Sequence, residues 1–147
     1  MRVLVGILLA LFLGTVPAGA VLGEYESSVS LDQQVLRGEI RQVAGQGFRL
    51  HQITSPNGAM IREYVSPEGK VFGISWQAPS MPDLRQLLGS YAAEVERAAQ
   101  AKARHGGPLI VRSDDLVFVS AGHMRFFRGS AYVPGLLPNN ISAEVVR

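Results

Sequence analysis

Ser55-Pro56-Asn57-Gly58 and Ser66-Pro67-Glu68-Gly69 repeat one punctuation, S-P-x-G, with a strand's length of chain between them. In each, the serine can bond the turn backbone, the proline presets φ near −65° at the second position, and the glycine takes the exit conformation of a type I turn. The runs on either side, Phe48 to Ile53, Met60 to Val65 and Lys70 to Gln77, must therefore double back, which predicts a three-stranded antiparallel meander. In the third run Phe72, Ile74 and Trp76 alternate with Gly73, Ser75 and Gln77, so one face is apolar and the other small and polar. The apolar face needs a cover.

That cover is supplied by Leu84, Leu87, Leu88, Tyr91, Ala92, Val95, Ala98 and Ala99, which follow the i, i+3, i+4, i+7 spacing of one long amphipathic helix. Ser80 and Asp83 read as an S-x-x-D capping box with Pro82 in the first turn, and Lys102 and Arg104 suit the C-terminal end of the dipole. Gly106-Gly107-Pro108 stops the helix. Gly89 lies off the apolar stripe and fits either a close backbone approach or a slight bend. Upstream, Val21 to Ser30 is a lead-in without a motif. Leu31, Val35, Leu36, Ile40 and Val43 then fall near helical spacing, predicting a helix over Leu31 to Val43 capped by Ser30 or Asp32 and weakened at Gly38.

Downstream, strand-like runs cover Leu109 to Arg112, Leu116 to Ala121, Met124 to Phe127 and Ala131 to Val133, with turns at Asp114-Asp115 and Gly122-His123. Pro134 to Asn140 and a short helix capped at Ser142 end the chain. The plan is β-β-β-α-β-β-β, an α+β domain in which a curved antiparallel sheet packs on one long amphipathic helix, with a short N-terminal helix before it.

The N-terminus carries an export signal. Met1-Arg2 is a short positive region, Val3 to Leu13 is apolar apart from Gly6, and Ala18-Gly19-Ala20 fits the small-x-small cleavage pattern. Cleavage is expected between Ala20 and Val21, leaving residues 21–147 as a single exported domain in the periplasm or the medium. The uncharged stretch before Pro17 is too short to cross roughly 30 Å of hydrocarbon, and no later segment is a membrane span. Net charge is +2, from 14 Lys plus Arg against 12 Asp plus Glu, and the basic residues are scattered, which argues against a nucleic-acid partner. The chain has no cysteine, which excludes disulfides, thiolate metal sites and a cysteine nucleophile.

Arg62 to Trp76, R-E-Y-V-S-P-E-G-K-V-F-G-I-S-W, is followed by P-D-L-R-Q-L-L-G-S-Y from Pro82 to Tyr91 and by G-H-M-R-F-F-R-G-S-A-Y-V-P from Gly122 to Pro134. In this order the three motifs resemble the exported bacterial family known as domain of unknown function 2844. The resemblance implies a periplasmic or secreted proteobacterial protein and carries over no catalytic or ligand residue.

The residues themselves mark no catalytic, cofactor or metal site. His51, His105 and His123 lack the spacing of a metal site, and His105 suits a helix end. Ser75 and Ser120 stand outside any nucleophile motif and read as small polar strand residues. Asp114-Asp115 lacks a calcium loop, and Gly45-Gln46-Gly47 lacks the strand and helix of a phosphate loop. The most suggestive set is Arg49, Arg62, Arg125 and Arg128 with Tyr64, Phe126 and Phe127, placed on strands. Pairing could gather several on one face for an anionic ligand or a protein partner in the cell envelope, and Arg49, Arg62, Tyr64, His123, Arg125 and Phe127 are the residues expected to mark it. A solvated sheet face with Arg stems over aromatics is the plainer account. The expected role is a noncatalytic exported binding or accessory protein. A small unmarked periplasmic enzyme and a structural component of an envelope assembly are the alternatives.

Overall fold

A computed structural model of the chain describes residues 22–102 and 106–147. The export signal and the helix-end reading of Arg104 and His105 lie outside them.

Seven antiparallel strands form one sheet in the order β1-β2-β3-β4-β7-β6-β5. They are β1 (Glu39–Ala44), β2 (Arg49–Thr54), β3 (Met60–Val65), β4 (Val71–Ala78), β5 (Leu109–Arg112), β6 (Val117–His123) and β7 (Phe126–Tyr132). Among the described residues three α-helices, α1 (Val29–Leu36), α2 (Leu84–Leu88) and α3 (Ala92–Ala101), join the sheet in an α+β fold. After the meander β1 to β4, the chain crosses one face as α2 and α3. It re-enters at the far edge as β5 and winds inward until β7 closes against β4.

The S-P-x-G turns form as the sequence predicts. The Gly58 and Gly69 N–H groups donate to the carbonyls of Ser55 and Ser66 at 2.9 Å, and both glycines have left-handed φ of +85° and +81°. Asp114 and Asp115 sit exposed in the β5–β6 turn, which Ser113 and Leu116 close through a 2.9 Å backbone bond.

Several expectations need correction. The predicted helix over Leu31 to Val43 is a helix, α1, and then a strand, β1. Arg37 takes a left-handed conformation at the end of α1, and the Gly38 N–H caps the helix on the Gln33 carbonyl at 3.1 Å. Gly38 then lies so close to β2 that a Cβ there would stand 2.5 Å from Ile53 Cγ2, and Ile40 and Val43 belong to a ladder with β2. The long helix is broken at Gly89, whose φ of +53° and ψ of −121° suit a residue without a side chain, and a 3-10 turn over Gly89–Tyr91 joins α2 to α3. Its N-cap is Asp83 alone, accepting from the N–H groups of Arg85 and Gln86 at 2.9 and 3.3 Å, and Ser80 takes no part in the cap. The turn placed at Gly122-His123 falls at Met124-Arg125, so Met124 to Phe127 and Ala131 to Val133 are parts of β7 and its flanks rather than two strands. The short helix expected at Ser142 does form, as a 3-10 helix over Ala143–Val145 with the Ser142 hydroxyl capping it by accepting from the Glu144 N–H.

The lead-in is tied down. Leu22 is buried and donates its N–H to the Leu87 carbonyl, Gly23 donates to Val71, and Tyr25 bridges to Lys70. The main core lies between the sheet and the helices, with Ile53, Ile61, Val65, Val71, Ile74, Trp76, Val111, Phe118 and Ala131 from strands against Val29, Leu87, Leu88, Ala92 and Val95 from helices.

Candidate functional site

A bulge in the β3–β4 ladder creates a second, smaller core on the opposite face. Tyr64 pairs with Gly73 and Val65 with Val71, so Phe72 is an extra residue and swings away from the helices. It meets Tyr64 and Phe48 at ring separations of 6.1 and 6.2 Å. The C-terminal segment closes over them with Leu136, Leu137, Ile141, Val145 and Val146. Gly73 admits it: a Cβ there would stand 2.7 Å from Val146 Cγ2. At the end of this segment the Tyr64 hydroxyl donates to the Arg147 carbonyl at 2.8 Å and accepts from its N–H at 3.2 Å.

Beyond that cover the face is open. One register row runs Arg62, Ser75, Ser130, Val119, and the next runs Gln77, Arg128, Ala121. Arg62, Gln77, Val119, Ala121, Arg128, Ser130 and Arg147 line a concavity of about 520 Å³ that contains no acidic side chain. Arg62 and Arg128 form no ion pair among the described residues. Two guanidinium forks beside an amide and a hydroxyl, over the apolar Val119 and Ala121, can hold an anionic group by charge-assisted bonds and seat an apolar portion next to it.

The family model described as Protein of unknown function (DUF2844) matches residues 18–146. The chain belongs to this family. No curated protein and no solved structure matches it.

In this member of the family the residues expected to mark one face are divided. Arg62 lines the concavity, and buried Tyr64 anchors its Arg147 rim. Arg49 lies in phase with His51 and Ile53 and is engaged by Glu26 through bonds of 3.0 and 2.6 Å. His51 Nε2 lies 2.7 Å from the same carboxylate. These partners, Arg49 first, hold the Glu26 carboxyl down at about 2. Phe127 lines a hollow with Leu84 of α2 and Phe118 of the main core, away from the concavity. His123 ends β6, opposite Phe126, and Arg125 occupies the turn. Arg128, the remaining arginine of the wider set, does line the concavity with Arg62. Gln77, Ser130 and Arg147 were not legible as members, because the β4–β7 pairing that brings them together is long-range. Ser75 and Ser120 are buried strand residues, and Ser75 Oγ lies 3.4 Å from the Tyr64 hydroxyl.

One constellation went unread. Glu63 is fully buried on the helix side and, among the described residues, no donor reaches either of its carboxyl oxygens. Asp32 of α1 is its buried neighbour and accepts from Gln86 Nε2 at 2.9 Å. Burial, and then the charge of Asp32, pushes the Glu63 carboxyl up to about 9, and burial raises Asp32 to about 6 against the pull of Gln86. Glu63 therefore holds a proton at neutral pH. A signal existed: Glu63 shares the phase of Ile61 and Val65 on β3, a charged residue on an otherwise apolar row.

Proposed function

We propose that this chain is exported and acts without catalysis, as a binding or accessory domain that holds an anionic ligand of the cell envelope on the open face of its sheet. The observation that carries the reading is the acid-free concavity holding Arg62 and Arg128. Export is supported by the positive, apolar and small-residue order of the first twenty residues, and the family match leaves most of that stretch outside. An enzyme would need a pocket joining a base such as His123 to a carboxylate. His123 is exposed on a hairpin, and the chain has no Asp or Glu from Leu116 through Ala143. An assembly component would need a bare strand edge. β1 is such an edge, but Glu39 and Arg41 place charges along it, a pattern that blunts edge pairing.

Hexyl phosphate, which joins an anion to a short apolar tail, is a suitable probe of the concavity. Its titration is expected to shift the amide resonances of Arg62, Gln77, Arg128 and Ser130, and Arg62→Gln with Arg128→Gln should weaken binding about tenfold or more. An unchanged affinity in the double variant would remove the site. Export has a separate check: protein recovered from the producing cell should begin at Val21 by intact mass, and a product retaining residues 1–20 would overturn it.

A further inference from the structure

The β6–β7 hairpin ends in an exposed apolar and basic tip. Met124 is 90% exposed and Phe126 43%, and between and beside them stand Arg125 and Arg128. Met124 and Arg125 have φ of 42° and 68°, so the turn is of the kind that favours Asn-Gly, and here it carries a long apolar and a long cationic side chain instead. A seven-pair ladder from Val117–Tyr132 to His123–Phe126 holds the tip in place. Pro79, Arg125 and Phe126 share one hollow, and the exposed Met81 shares another with Gly122 and Phe127 of the same hairpin. No acidic residue occurs in the hairpin. Large exposed apolar side chains on a rigid element need a partner, and their arginine flanks set its sign.

We infer that the hairpin tip seats in the surface of an anionic lipid bilayer, with Met124 and Phe126 entering the boundary of the acyl region and Arg125 and Arg128 on the headgroup phosphates. Apolar side chains provide the insertion, and the arginines, whose stems reach back to the interface, provide the attraction to negative lipid. This surface lies at the end of the sheet, on a turn, and shares Arg128 but not Met124, Arg125 or Phe126 with the lining of the concavity between the strands.

Because the chain has no cysteine, Met124→Cys creates a single attachment point for an environment-sensitive fluorophore in the full chain. The label reports the tip itself, whatever else on the chain touches lipid. Vesicles of phosphatidylcholine with phosphatidylglycerol are expected to shift its emission to the blue and to quench it when the acyl chains are brominated. Phosphatidylcholine alone, or high salt, should abolish most of the change. A label at Asp114→Cys, in the turn at the other end of β6, should not respond. Arg125→Gln with Phe126→Ser should lower the anionic-vesicle affinity read at position 124 by about tenfold. No blue shift on anionic vesicles, or an equal shift at position 114, would overturn the inference. A shift seen only with lipid-free envelope protein would also overturn it and give the tip to a protein partner.

Discussion

Trp76→Ala is expected to lower the unfolding free energy by about 3 to 5 kcal/mol and Leu88→Ala by about 2 to 5, in a domain whose whole stability is typically about 5 to 15. Trp76 lies on β4 between Ile61 of β3 and Gly129 of β7. Its indole rests over the glycine so closely that a Cβ there would overlap Cζ2, and it tilts against Phe118 at 5.7 Å. Truncation leaves a void that Gly129 has no side chain to fill. The indole N–H is buried without an acceptor, so its removal also relieves an unpaired donor and sets the loss toward the lower end of the range. Leu88 is fully buried against the same core. Arg85 provides the contrast: its exposed side chain reaches Glu96 on α3, and Arg85→Ala should leave stability almost unchanged. Urea melts of the three variants check this, and a Leu88→Ala protein as stable as Arg85→Ala would mean that α2 does not cover the sheet.

What was legible in the sequence is local. Type I turns announce themselves through Ser, Pro and Gly within four residues, and the Leu84–Leu88 and Ala92–Val95 stripes announce the covered face. The edge strand β1 was not legible, because Ile40 and Val43 are three apart and fit a helix as well as a strand. What decides against the helix is Gly38, whose need for close approach exists only once Ile53 is in place. The candidate face failed for the same reason. Whether Arg49, Arg62 and Arg128 share a side depends on phase across three strands, and the β4–β7 register joins segments separated by two helices. Arg49 and Arg62 each looked like surface cations. Only the fold gives one to Glu26 and sets the other at the concavity, where its Nη1 donates to the Arg147 carbonyl at 3.4 Å.

Stability is expected to fall as pH rises from about 5 to about 9, and the slope belongs to Glu63. Its carboxyl, ordinarily near 4.5, is raised to about 9, so the unfolded chain releases this proton near 4.5 while the folded chain keeps it through the window. The native state then binds more protons than the unfolded one, and stability drops with pH by on the order of 1 kcal/mol per unit until the folded group itself titrates. Asp32, raised from 3.8 to about 6, adds to the fall at the acid end of the window. Glu26 acts in the opposite sense: lowered to about 2, it contributes fully above its ordinary value and loses that contribution only as pH falls toward 2. The other groups around the buried acid cannot substitute for it. His51, directly across β2 from Glu63, is turned to Glu26, and Gln86 of α2 is neutral and committed to Asp32. Glu63→Gln keeps the volume, brings an amide donor toward Asp32 and removes the titration. It should leave stability near pH 5 almost unchanged, flatten the profile above it, and exceed the parent by on the order of 3 kcal/mol near pH 8.5. Urea melts of parent and variant across this range provide the comparison, and parallel profiles would mean that the buried carboxyl is ionised in the folded chain and that some unseen cation or water holds it there.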